Sequence, residues 1–227
     1  YIAFEKAYKL NPNIEYLKED LVRAAERARR PEAAAKWKKE FNIKPDPEWK
    51  NKDLGELVLI YQQGWGPRKF PNPSWRRIPK LYPVSSYTQR ARMEIVDPNI
   101  KEETQEIYSV EEVAIKTLDD YYAPLIAKRI AAIAAKEVVS DQIRQKDELL
   151  GAIANIVMHV ADRADLRQWS TLPETFQIAK KRLPAGTYKV RVYGLDASGE
   201  QTGETSEEME VEVVAGTKSF FTWRSFR

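Results

Sequence analysis

The chain reads as an α+β protein. An N-terminal tetratricopeptide-like helical hairpin leads into a mixed domain, in which a long helix or helix pair packs on an antiparallel, immunoglobulin-like β-sheet. That class follows from three features of the pattern. Apolar residues recur three to four apart through residues 14–41 and again through 126–160. Strict alternation governs 187–195 and 207–214, and a proline-dense stretch with Pro71, Pro73, Pro79 and Pro83 separates the two helical regions.

The first helix carries Phe4, Ala7 and Pro12, the spacing that closes a tetratricopeptide repeat: Phe4 and Ala7 share a face one turn apart, and Pro12 stops the helix. A second pair spans Ile14 to Arg30 and Glu32 to Phe41, with Pro31 suited to the first turn and Leu17, Leu21, Ala24, Ala25 and Ala28 as its apolar stripe. One repeat cannot bury its own face, so residues 1–44 are expected to be a remnant continuing upstream of Tyr1. An ordinary helical hairpin is the alternative.

After a connector with Pro45 and Pro47, Glu56 to Tyr61 is a short β-branched and aromatic run, read as a buried strand. Gly64-Trp-Gly-Pro67 imposes a turn, and residues 70–92 should form edge strands and loops. Ala91 to Val96 is a further strand, ended at Asp97-Pro-Asn99. From Tyr108 the pattern turns helical, with Ser109 and Glu112 at capping-box spacing, and it continues through 142–161 with Gly151 as a weak point. The tail is β: residues 174–183, 187–195, 207–214 and a last strand, 220–226, expected to complete a meander. Lys189 and Arg191 on one strand face Glu208, Glu210 and Glu212 on another, which favours their pairing. The domain boundaries are therefore 1–44, and 52–227 with a helical insertion at 108–165 and a C-terminal sheet at 172–227. Residues 56–96 should join that sheet across the insertion.

Composition bounds function. Apolar residues at 43% and charged residues at 31% describe a soluble globular chain, and the net charge of +3 is too small to argue for nucleic acid. Cysteine is absent, which removes disulfides, thiolate zinc sites and cysteine nucleophiles from these residues. The one histidine, His159, has no recognisable nucleophile motif to serve and reads as structural or solvent-facing. Asp162 and Asp165 are too few oxygens for a hard metal. No catalytic, cofactor-binding or metal-ligating residue is assigned, and no cofactor is expected.

Two stretches stand out. Asp165, Arg167, Trp169 and Pro173 read as a structural clamp between long helix and sheet, with Arg167 bidentate to a carboxylate, Trp169 packed beneath the turn and Pro173 fixing the exit. Gly64 to Arg92 holds seven cations and no acid, interleaved with aromatics. Trp65, Arg68, Lys69, Trp75, Arg76, Arg77 and Tyr82 are its candidate interaction residues, for a protein partner or an anionic glycan. The bland reading is core aromatics with a solvated cationic rim. The acidic stretch Glu200 to Glu212 could be its counterpart within or between subunits.

Three motifs together resemble a family of uncharacterised bacterial proteins, many of them predicted as outer-membrane lipoproteins. They are Gly64-Trp-Gly-Pro-Arg-Lys69, the basic helix core Ile126 to Ala135, and Asp165, Arg167, Trp169, Leu172, Pro173 leading to Leu183, Pro184 and Gly186. The resemblance covers nearly the whole chain and implies a compartment and an architecture without a reaction. On that basis the expected function is a non-catalytic scaffold or interaction protein of the cell envelope, a subunit of a periplasmic or outer-membrane complex. Its partners would be other envelope proteins or further copies of itself, with no nucleic acid, and its membrane association would run only through a lipid anchor upstream of Tyr1. A ligand-binding module using residues 64–92 is the alternative, and an envelope enzyme ranks behind it.

Overall fold

The computed structural model describes residues 1–73, 78–144 and 164–226. In chain order the elements are α1 (Ile2–Leu10), α2 (Glu15–Arg27), α3 (Pro31–Phe41), β1 (Leu54–Gln63), β2 (Arg68–Pro71), β3 (Pro79–Tyr82), β4 (Arg90–Ile95), β5 (Ile100–Glu103) and β6 (Gln105–Ser109). There follow α4 (Val110–Asp120), α5 (Tyr122–Arg144), β7 (Thr175–Pro184), β8 (Gly186–Leu195), β9 (Gln201–Thr205), β10 (Met209–Val213) and β11 (Lys218–Arg224). The class is α+β, as the periodicity predicts. The chain divides into two compact units, one of Tyr1–Gly64, Ser86–Tyr108 and Thr175–Arg227, the other of Trp65–Ser85 and Ser109–Glu174.

In the first unit two sheets face each other across one apolar core. The four-stranded sheet has the order β11-β1-β7-β6, and the five-stranded sheet runs β10-β8-β4-β5 with β9 also on β8. Period-two alternation turns Leu57, Leu59 and Tyr61 of β1 and Ala179 of β7 inward, against Ala91, Met93 and Ile95 of β4 and Val190 and Val192 of β8. Strands from 56–96 do join the C-terminal sheets: β1 pairs β7, and β4 pairs β8. The opposite charges of β8 and β10 do meet, with Glu210 beside Lys189 in register.

The last strand departs from the expected meander. Residues 214–217 carry the chain from one sheet to the other, so β11 arrives beside β1 running parallel to it, Glu56 opposite Lys218. The stretch 100–109 also forms two strands that periodicity does not indicate, because its side chains are mostly polar and carry no apolar stripe.

The helices at the N-terminus form α1–α3 as spaced, with Pro31 in the first turn of α3 and a left-handed Asn42 ending it. Trp37 stacks on Phe41 at 5.3 Å between ring centroids, and Tyr8 meets both edge-on. Leu21, Val22 and Trp49 complete this second core. These helices are not a separate body. They belong with the sheets, because α2 turns charged residues as well as apolar ones inward.

The second unit is built from the β2–β3 hairpin, α4 and α5. The Glu112 amide donates to Ser109 Oγ at 3.0 Å, the cap its spacing predicts. Glu111 accepts from the Val84 amide at 3.0 Å, and Asn72 donates to the Tyr122 hydroxyl, tying hairpin to helices. The helix pair expected on the main sheet thus belongs to a different compact unit, together with the hairpin. The helical reading over 145–161, with Gly151 and His159, lies outside the described residues, as does Asp162.

Candidate functional site

β1 has a second face. Its odd positions fill the core, while Glu56 and Val58 point the other way and are still buried. Glu56 is 4% exposed and lies between cations in both directions across the sheet, Lys218 on β11 and Arg182 on β7, with Lys180 opposite the neighbouring Val58. Above them α2 presents Asp20 and Arg23, three residues apart and so on one face, both buried.

These side chains interlock. Arg23 Nη2 donates to Glu56 Oε2 at 3.0 Å and lies 3.7 Å from Asp20 Oδ1. Lys180 Nζ is 2.9 Å from Asp20 Oδ2 and 3.7 Å from Glu56 Oε1. Lys218 reaches Glu56 directly and Asp20 at 3.9 Å. Two buried carboxylates are thus held by three cations. A second ring surrounds them: Arg182 pairs with Glu19 and with Asp46 at 3.4 Å, and Trp49 Nε1 donates to Glu19 at 3.0 Å. Lys180 also sits 5.1 Å from the centroid of the Tyr16 ring.

Electrostatics follows from this packing. Burial alone would raise the Glu56 pKa, but Lys218, Lys180 and Arg23 overcome it and hold the carboxyl at about 2. At neutral pH Glu56 is therefore ionised, a counter-ion to these cations and only a weak base. The Tyr16 phenol is pushed up by burial and then by the Glu102 carboxylate. A cavity of about 70 Å³ adjoins the cluster, lined by Arg23, Arg27, Trp49, Glu56, Arg182 and Lys218. Among the described residues no group of three or more acidic or histidine side chains is arranged to hold a metal ion.

Sequence reasoning did not single out these residues. The available signal was charge at positions that periodicity assigns to a buried face: Asp20 and Arg23 beside the Leu17 and Leu21 stripe, and Glu56 opening an apolar run.

The stretches it did single out look different in space. Arg167 is bidentate to Asp165, Nε to Oδ1 and Nη2 to Oδ2 at 2.9 Å each, but Arg167 has 92% of its side chain exposed. Trp169 is 72% exposed and donates to Thr171 Oγ1, so it does not pack beneath the turn. The sequence density of charge and tryptophan is real, yet a two-residue ion pair in water clamps little. Pro173 lies beside the backbone of Gly66, whose amide donates to Leu172 O at 2.8 Å. We accordingly expect Arg167→Ala combined with Trp169→Ala to shift the melting temperature by less than about 2 °C, read by circular dichroism. A cooperative loss of fold would restore the clamp.

Of the interaction candidates, Trp65 has the Arg68 guanidinium 5.4 Å from its ring centroid. Lys69 is tied to the 165–173 segment, its amide to Gln168 Oε1 at 2.6 Å and Nζ to Arg167 O at 3.0 Å. Tyr82 meets Phe70 edge-on at 5.9 Å, with Lys80 Nζ 5.7 Å from its ring. Trp75, Arg76 and Arg77 lie outside the described residues. The basic run also breaks up in space: Arg90 and Arg92 pair with Glu103 on β5, at 3.2 and 2.8 Å. Of the acids of 200–212, Glu208 pairs with Lys189 and Arg191, and Glu204 accepts from Thr88 and Ser225.

No family model, curated protein or solved structure matches the chain. No described helix is long and apolar enough to cross a membrane.

Proposed function

We propose that this chain is a non-catalytic scaffold of the bacterial cell envelope, one subunit of a periplasmic or outer-membrane complex, in which α1–α3 form a tetratricopeptide-like platform mounted on an immunoglobulin-like sandwich. The observation that carries the reading is the way α2 is fixed. Asp20 and Arg23 lock into the Glu56–Lys180–Lys218 cluster, while α1 buries no residue and leaves Ile2 and Leu10 exposed. A helix layer held rigidly from behind and open in front suits partner binding, because little ordering entropy remains to oppose association. Support for the finer fold comes from the Phe4, Ala7 and Pro12 spacing and from the parallel pairing of first and last sandwich strands. The compartment and the lipoprotein character rest on the family resemblance alone.

A photo-crosslinking residue placed at the exposed Lys6 tests this in the native host. We expect one reproducible envelope protein to be trapped, and Ile2→Asp with Leu10→Asp to abolish that crosslink at unchanged melting temperature. Recovery of the chain uncrosslinked from the cytoplasmic fraction would overturn the proposal.

A further inference from the structure

We infer that the open edge of β10 docks an extended, basic segment of a partner protein, which adds to the five-stranded sheet as a further strand. β10 ends that sheet. Its inner side pairs with β8 from Met209 beside Val190 to Val213 beside Gly186. Among the described residues no backbone hydrogen bond reaches it from the other side. An edge of this kind offers a row of unpaired amides and carbonyls as a template for another strand.

Proline, a bulge and an inward charge, three of the usual guards, are missing. β10 contains no proline, its register with β8 is unbroken, and its inward side chains Met209, Val211 and Val213 are apolar and packed on the core. Nothing charged points inward to spoil an incoming ladder.

Charge selects the occupant. Glu208 is answered by Lys189 at 3.2 Å and Arg191 at 3.4 Å, both on β8. Glu210, whose register neighbour Lys189 turns to Glu208, and Glu212, opposite the uncharged Thr187, are on the same outward face, exposed, and make no ion pair among the described residues. The edge at β5 differs, since Glu102 is matched by Lys181, and Glu103 by Arg90 and Arg92. A second copy of β10 would set glutamate against glutamate, which disfavours self-pairing. A strand with lysine or arginine at alternate positions would meet Glu210 and Glu212 as β8 meets Glu208, with apolar residues continuing the inner face. This surface is separate from α1, so its failure would leave the platform reading standing.

The test uses the full chain and a fluorescent, end-capped peptide of about eight residues alternating lysine and valine, with binding read by fluorescence anisotropy at low salt. Saturable binding is expected, weakened at least about tenfold by Glu210→Lys with Glu212→Lys. Two further peptides, N-methylated at every second residue in opposite phases, separate strand addition from plain charge attraction. Only alternate amides face β10, so one phase should lose binding by about tenfold or more and the other keep it. The methylated pair decides the matter even if the double variant folds poorly. Absence of binding, equal binding by both phases, or association of the protein with itself through Glu210 and Glu212 would each overturn the inference.

Discussion

Replacing Glu56 with glutamine should destabilise the first unit by about 3–5 kcal/mol, the range for breaking a buried ion pair from one side. The side chain keeps its volume and loses its charge. Arg23, Lys180 and Lys218 would then share only Asp20, whose Oδ1 already accepts no hydrogen bond. For a chain of 227 residues this corresponds to a fall in melting temperature of roughly 6–20 °C. The desolvation of Arg23 and Lys180, and in part of Lys218, is the cause, because three cations would be left with one counter-charge in place of two. The pH profile provides an independent readout. The folded Glu56 pKa, about 2, lies below its ordinary value of 4.5. Its contribution to stability is therefore complete above pH 4.5 and is lost as pH falls towards 2. Wild-type protein should lose stability across that window more steeply than the glutamine variant. Parallel profiles, or a variant within about 1 kcal/mol of wild type, would show that the cluster does not hold α2.

The same cluster marks where sequence stops being informative. Periodicity located α2, α3, β4, β7, β8 and β10, because each turns apolar residues to one side and a stripe records it; α1 was legible from the Phe4, Ala7 and Pro12 spacing, and β1 from a short apolar run. Ile100–Ser109 left no such record. Its strands are mostly polar, and the partners of Glu102 and Glu103, namely Lys181, Arg90 and Arg92, are distant in sequence or across a turn. The parallel placement of β11 was equally hidden, since chain order alone favours a hairpin with β10, and only closure of the sandwich sets it against β1. Asp165 to Pro173 misled for the opposite reason. Its residue types are those of a buried clamp, but burial is a property of the fold, and here Arg167 and Trp169 face water. Asp20, Arg23 and Glu56 carry the same chemistry in buried positions, spread over two elements, where no local pattern collects them.

The position most sensitive to a single added methyl group should be Gly55, next to Glu56. A Cβ there would come within 2.5 Å of Val214 O and 2.6 Å of Val213 Cγ1. The first is backbone, so rotamer change gives no relief. The contact is tight because the 214–217 turn is laced to the start of β1: the Gly216 amide donates to Leu54 O and the Glu56 amide to Thr217 O, both at 2.9 Å. Moving the turn to admit alanine would stretch those bonds and carry Lys218 away from Glu56. Overpacking and lost buried hydrogen bonds then add, and Gly55→Ala should cost about 3 kcal/mol or more. Two other glycines calibrate the result. A Cβ at Gly186 meets nothing closer than 3.8 Å, so alanine there should be close to neutral. At Gly216 nothing lies within 4 Å, but φ is +72°, and the left-handed backbone alone should cost about 1 kcal/mol. Urea midpoints ordered Gly186→Ala, Gly216→Ala, Gly55→Ala from most to least stable are the expected outcome. Near-equality of Gly55→Ala and Gly186→Ala would mean that β1 and the turn before β11 do not meet as closely as this packing requires, and the seat of Lys218 beside Glu56 would fall with it.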